Sequence, residues 1–293
     1  MGVVPQTESA NILRAAIWMI GAIVSFTLMA IAGRAISFEL DTFEIMMYRS
    51  LVGVLIITAL LSLTAKWHQV ERAHTGLHLI RNVCHFAGQN LWFYALAAIP
   101  LAQVFALEFT SPLWVLVLSP LVLGERLTRI RSLSAILGFI GILIVARPSP
   151  DTVNAGTLAA ATAAIGFAGA IMFTKKLTRL TTLASILFYM TVTQAVFGLI
   201  CAGIDGDITL PSLVSLPWLI IIGCGGLMAH FCITKALSIA PATVVTPVDF
   251  ARLPVIAVIG FVFYNEPIDT LVILGAVVIF GANYLNIWSE TRK

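Results

Sequence analysis

Long apolar runs, each about the length of a bilayer crossing, alternate along this chain with short breaks of polar residues, glycine or proline. The runs fall at 12–34, 45–65, 78–98, 101–123 and 130–147, then at 156–174, 182–203, 217–236, 241–264 and 269–288. A hydrocarbon core about 30 Å thick takes roughly 20 apolar residues of helix, whereas a tilted barrel strand takes about half that and alternates apolar with polar positions. These runs do not alternate, so the pattern predicts an all-α membrane protein of ten transmembrane helices.

Composition supports this. Of 293 residues 59% are apolar and only 11% charged, with a mean hydropathy of +1.00, against about a quarter charged in soluble domains. Ten spans leave no room for a separate soluble domain, and the chain has no P-loop. No cofactor and no nucleic-acid partner are expected. The cysteines, Cys84, Cys201, Cys224 and Cys232, lie inside apolar runs without CxxC spacing, which points to packing rather than to disulfides or a metal site. Residues 1–11 are polar and enter a run too long for a signal-peptide core, so the first span is expected to stay in the membrane.

Lys and Arg in short loops favour the cytoplasmic side. With the N-terminus inside, that side collects Arg14, Lys66, Arg72, Arg81, Arg126, Arg129, Lys175, Lys176, Arg179 and Lys235, while the opposite side has Arg34 and Arg147 and is rich in acids such as Glu39, Asp41, Glu44, Asp207 and Glu266. Both termini are therefore expected in the cytoplasm.

The chain also resembles itself. A shift of 141 positions lays Ala95, Leu96, Pro100, Val104 and Phe109 on Ala236, Leu237, Pro241, Val245 and Phe250, and Glu108 on Asp249. Phe26, Tyr48 and Glu125 land in the same way on Phe167, Tyr189 and Glu266. Two five-helix repeats are expected, residues 1–150 and 151–293. Five is odd, so the second repeat enters inverted, as the loop charges independently require. Inverted repeats around a central site are an architecture of secondary transporters.

The stretch from Pro112-Leu113-Trp114 to Gly124-Glu125-Arg126, followed by a fifth span ending Val145-Ala146-Arg147-Pro148, resembles the EamA family of the drug/metabolite transporter superfamily. The second copy reads Leu253-Pro254-Val255 through Asn265-Glu266-Pro267, with Asn265 where the family has Gly. Asn tolerates the same tight-turn geometry. The likeness covers the whole chain. It implies transport of amino acids, vitamins, nucleotide-like cofactors or other metabolites, by proton-linked exchange or facilitated flux, with the exporters of amino acids, aromatic ones included, as the nearest branch.

Polar groups at membrane depth are costly and face a cavity or a partner helix. The third span carries Asn82, His85, Gln89 and Trp92 within an arc of about 80° at 100° per residue. These are candidate substrate-binding residues, with His85 and Gln89 bonding a polar head group and Trp92 stacking on a ring; the plainer alternative is interhelical hydrogen bonding. The 141-residue shift places Gln89 on His230, which joins the set and could meet Gln89 at the midplane. His85 or His230 is a candidate proton carrier, since histidine titrates near neutrality. On the first span Trp18 and Ser25 share a face and are weaker cavity candidates.

Glu108 and Asp249 are buried acids at equivalent positions. Arg49 enters from the same side as Glu108, and Arg252 stands at i+3 from Asp249, the spacing of a helical pair. Two separate ion pairs are expected, either structural or gripping a zwitterion or a proton. Pro112, Pro120, Pro247 and Pro254 lie inside the fourth and ninth spans, where proline frees a carbonyl and permits bending; Pro112 and Pro254 are candidate hinges. Glu125 and Glu266, near helix ends, read as caps or latches.

An enzyme would need a convergent catalytic set, and neither HExxH nor GxSxG is present. A channel would show rings of one charge sign, and this interior mixes signs. The expectation is a carrier in a bacterial inner membrane, monomeric or weakly dimeric, that exports amino acids by alternating access with protons as a candidate co-substrate. Uptake of a vitamin or cofactor, riboflavin or S-adenosylmethionine, is the alternative.

Overall fold

The computed structural model describes residues 6–122, 124, 129–146, 153–204, 206–242, 245, 248–249, 252–267 and 270–291. Among these residues all regular structure is helical. The helices are α1 (Gln6–Ile36), α2 (Thr42–Leu63), α3 (Thr75–Ala98), α4 (Leu101–Glu108), α5 (Ser111–Val122), α6 (Arg129–Ala146), α7 (Ala155–Leu177), α8 (Leu183–Ala202), α9 (Leu216–Ile239), α10 (Arg252–Tyr264) and α11 (Thr270–Thr291). A short 3-10 turn at Trp67–Gln69 joins α2 to α3.

Among the described residues six stretches are long and apolar enough to cross a membrane, and shorter apolar helices include Val255–Tyr264 and Ile273–Ala282. The helix α3 is not among the six, although it is as long as α9, because His78, Arg81, Asn82, His85, Gln89 and Asn90 are buried along it. Two of the basic residues used to orient the chain belong to the interior rather than to loops. Arg81 lies inside α3 and is 2% exposed, and Lys175 lies inside α7, where its Nζ donates to the carbonyls of Leu237 and Ala240 at the end of α9. A long cationic side chain can satisfy helix-terminal carbonyls from within the bundle.

The fourth span is not one helix. It breaks after Glu108: the N–H of Phe109 still reaches the carbonyl of Phe105, and a fresh helix then starts at Ser111, whose hydroxyl donates to the Glu108 carbonyl at 2.6 Å. Pro112 is the second residue of that new helix, in the first turn, where a missing N–H leaves no helical bond unmade. Pro112 therefore opens a half-helix instead of kinking a continuous one, while Pro254 lies in α10 with the two residues before Arg252 outside the described residues. Pro247 and Glu125 lie outside the described residues.

Helix ends are set locally. Asp41 and Glu44 form a reciprocal capping box at the start of α2, and Asn154 and Thr157 do so at the start of α7. Gly124 and Asn265, equivalent under the 141-residue shift, both take left-handed backbone, φ +68° and +52°, which only Gly and Asn adopt readily.

The main packing pairs are α1 with α9, α3 with α7, α2 with α8, and α6 with α11. Exchanging the two halves of the chain turns α1–α9 into α7–α3 and leaves the other pairings in place. The symmetry reaches single residues. A Cβ on Gly166 of α7 would stand 2.8 Å from the Cys84 carbonyl oxygen and 2.9 Å from Gly88 Cα, and one on Gly225 of α9 would stand 3.2 Å from the Ser25 carbonyl oxygen. The shift carries Ser25 onto Gly166 and Cys84 onto Gly225, so one close crossing occurs twice. Backbones approach this closely only where a side chain is missing.

Candidate transport site

The helices α1, α3, α4, α5, α7, α9 and α10 enclose a central cavity of about 80 Å³, room for a few water molecules. Its walls include Met19, Phe26 and Met29 from α1, Arg81, His85, Gln89 and Trp92 from α3, and Phe167 and Thr174 from α7. His230 and Leu237 of α9 complete it with Glu108, Pro112, Asp249 and Arg252.

At one end two acids converge on one base. Arg252 Nη2 donates at 2.6 Å to Glu108 Oε1 and at 2.6 Å to Asp249 Oδ2. Trp92 Nε1 donates to Glu108 Oε2, also at 2.6 Å. The guanidinium is 1% exposed and sits 5.0 Å above the Phe26 ring, 4.8 Å above Phe105 and 5.4 Å above Phe109. Three aromatic faces add cation–π attraction to a charge already doubly paired. With both carboxyls ionised the cluster carries one surplus negative charge, and Asp249 Oδ1 and Arg252 Nε are left without a partner.

This replaces the two separate pairs that the sequence suggested. Glu108 is held by Arg252 across the two halves, and Arg49 does not reach it. Arg49 is buried in α2, where its one polar partner among the described residues is Met46 Sδ at 3.5 Å. It lines a second cavity of about 10 Å³ together with His85, Thr191 and Gln194. An i,i+3 pair could be foreseen from spacing; a bond between residues 144 positions apart depends on how the two halves dock.

In the middle of the cavity His85 Nε2 lies 2.8 Å from His230 Nε2, with ring centroids 4.5 Å apart. The partner of His230 is thus His85, not Gln89. Gln89 lines the same cavity, 2% exposed, with its Nε2 unpartnered. The His85–His230 contact leaves both Nδ1 atoms without a partner.

At the other end Arg81 lines the cavity, its Nε donating to Thr174 Oγ1 at 3.1 Å and its Nη1 to Asn82 Oδ1 at 2.9 Å. Asn82 stands behind the wall: its amide donates to the Tyr189 carbonyl, and its own carbonyl accepts from Gln194 Nε2. Asn82 therefore orients Arg81 instead of facing the cavity. Trp18 packs edge-on against Phe231 at 5.5 Å, and Ser25 sits at the α1–α9 crossing; neither lines the cavity. Phe26 and Met29 are the α1 residues that do. Arg81, counted with the cytoplasmic charges from its place three residues into the run 78–98, lies a turn and a half inside α3, which starts at Thr75.

The EamA-like transporter family model matches residues 13–147 and again 154–288. The S-adenosylmethionine uptake transporter of Rickettsia bellii is 27% identical over 94% of both chains. The riboflavin transporter of Brucella anthropi is 34% identical over 79% of this chain and 83% of its own length. The pseudopaline exporter CntI of Pseudomonas aeruginosa is 27% identical over 88% and 90%. A protein of known crystal structure, 16% identical, superposes over 97% of this chain and 99% of its own with a TM-score of 0.71, which shows a shared fold. A duplicated family domain, transporter relatives along nearly the whole chain, and a cavity walled by buried charges from both halves all fit one conclusion: this chain belongs to the EamA-like transporter family.

Proposed function

We propose that this chain is an alternating-access carrier of the bacterial inner membrane for small metabolites with an α-amino-acid head group, either amino acids moved outward or S-adenosylmethionine moved inward. In this reading it crosses the membrane ten times, with both termini in the cytoplasm and the second repeat inverted. The observation that carries the proposal is the sharing of Arg252 by Glu108 and Asp249 at the cavity wall. Its surplus negative charge suits a cationic group of the solute. Trp92 and Phe26 beside the cluster suit an apolar or planar side group. The S-adenosylmethionine transporter relatives, which align along 94% of this chain, support the cofactor branch. A second reading, riboflavin uptake, is favoured by the 34% identity to the Brucella anthropi transporter.

Alternating access needs a closed side. The cavity reaches Arg81, Thr174 and Leu237 at one end of the bundle, and at the other end Glu266 joins Arg34 to the start of α4. Purified protein in liposomes, loaded with an unlabelled solute, tests the function by counterflow of labelled amino acids, S-adenosylmethionine and riboflavin, with and without a pH gradient. Saturable counterflow of an amino-acid-headed solute is expected. Movement of riboflavin alone, or of none of the panel, would reject the proposal.

A further inference from the structure

Arg49 and Arg81 are buried, 6% and 2% exposed, on adjacent helices α2 and α3. Among the described residues neither has a carboxylate partner: Arg81 bonds only Thr174 and Asn82, and Arg49 only the thioether of Met46. The two lie within electrostatic reach of one another, and both act on His85 and His230. Guanidinium stays protonated in proteins and offers five N–H donors, so most of those on each arginine are unused. Placing such a charge in a low-dielectric interior without a counter-charge costs several kcal/mol. The cavity acids cannot supply the counter-charge, because Glu108 and Asp249 are both bound to Arg252.

We propose that this cationic cluster is an anion-binding site: one small anionic group sits in the central cavity against Arg81, His85 and His230, with Arg49 adding its field from the far side of His85. His85 is the wall common to the two cavities, with Arg81 lining the larger and Arg49 the smaller. Gln89, one helical turn beyond His85, lines the same cavity, and its buried amide Nε2 has no partner. The planar fork of Arg81 matches a carboxylate, and a halide needs only the field and one or two N–H groups. The occupant is therefore either the carboxylate of the carried solute or a free halide. Along α3 the site lies eleven residues from Trp92, about 16 Å at 1.5 Å per residue, so the cavity has an anion-seeking end and a cation-seeking end. A solute with separated charges would align along it.

The solute arm of this inference rests on the proposed carrier function; the ion arm does not. The thermal stability of the purified protein is measured in chloride, acetate and gluconate at equal ionic strength, gluconate being too bulky for the site. Chloride and acetate should raise the unfolding midpoint of the wild type over gluconate. The rise should vanish in Arg81→Gln, shrink in Arg49→Gln, which keeps the hydrogen bonds of Arg81, and return in Arg81→Lys. In liposomes, a free acid competing about tenfold better than its methyl ester, the worth of one charge-assisted hydrogen bond, identifies the solute's carboxylate as the occupant. Equal competition by acid and ester, with transport that stops without chloride, identifies a halide. The site is refuted if neither anion shifts the wild type relative to gluconate, or if Arg49→Gln and Arg81→Gln respond as strongly as the wild type.

Discussion

Glu266 Oε1 lies 2.6 Å from Arg34 Nη1, and the same carboxylate accepts the backbone N–H of Leu101 at 3.0 Å. One side chain thus ties the end of α1 to the first residue of α4 from the turn that follows α10. The acid belongs to the second repeat and both of its partners to the first. The contact is partly buried, with side-chain exposures of 22% for Arg34 and 11% for Glu266, which favours a real contribution over the near-zero value of an exposed pair.

Replacing Glu266 by Gln should loosen that end of the bundle. In a cysteine-free background carrying Ser111→Cys as a reporter on the cavity wall, labelling by a membrane-impermeant maleimide added from the Glu266 side should rise several-fold. Unchanged labelling would mean that the contact only caps α4.

Arg252→Gln should leave two carboxylates without their cation and destabilise the protein by about 3–5 kcal/mol. Arg252→Lys should recover part of the loss, since a lysine keeps the charge but not the flat guanidinium packed against Phe26, Phe105 and Phe109. Adding Glu108→Gln to Arg252→Gln should be milder than the single change. Additive losses in the double variant would mean that the two residues act separately.

The His85–His230 contact can be measured by a double-mutant cycle. Each single change to Phe should cost about 1–3 kcal/mol by stranding the other ring nitrogen. The double change should cost less than the sum, with a coupling of about 0.6–1.7 kcal/mol in the membrane. A coupling of zero would show that the rings merely pack.

Glu39, in the connection between α1 and α2, has its carboxyl held below the ordinary carboxylate range. The hydroxyl of Ser215 does most of this, followed by the backbone N–H and hydroxyl of Ser212. A lowered folded-state value stabilises above the unfolded value, about 4.3 for Glu, and that stabilisation is lost as pH falls through the lowered value. Unfolding midpoints of wild type and Glu39→Gln should therefore differ at neutral pH and converge in acid. Parallel curves down to the acid limit would remove the ionised carboxylate from the explanation.

Gly166→Leu should drive α7 away from α3, because the first added carbon already meets the backbone of Cys84 and Gly88. Loss of folded protein on size-exclusion chromatography is the expected outcome. A variant that elutes and melts like the wild type would mean the crossing can relax.

Several features were legible in sequence for physical reasons. The polar face of α3 showed because buried polar groups stand out against an apolar chain. The turn at Asn265 showed because few residues take left-handed backbone. The break after Glu108 did not, since an interrupted span and a continuous one have the same hydropathy. Nor did the shared Arg252, which depends on docking across the two halves. Arg81 was misassigned because loop counting treats every basic residue near a span boundary as solvated, and only burial separates a loop arginine from a cavity arginine.

The position equivalent to Arg252 in the first copy is Ser111. A particle made of two first copies would gather two glutamates there and no arginine; one made of two second copies would gather two aspartates and two arginines. Only the mixed pair yields the ratio seen in this chain. Two chains associating freely would form all three combinations, whereas a single covalent chain always forms the mixed one. The division of labour between Glu108, Asp249 and Arg252 is thus one that a single polypeptide secures in every molecule, because its two halves always meet as the mixed pair.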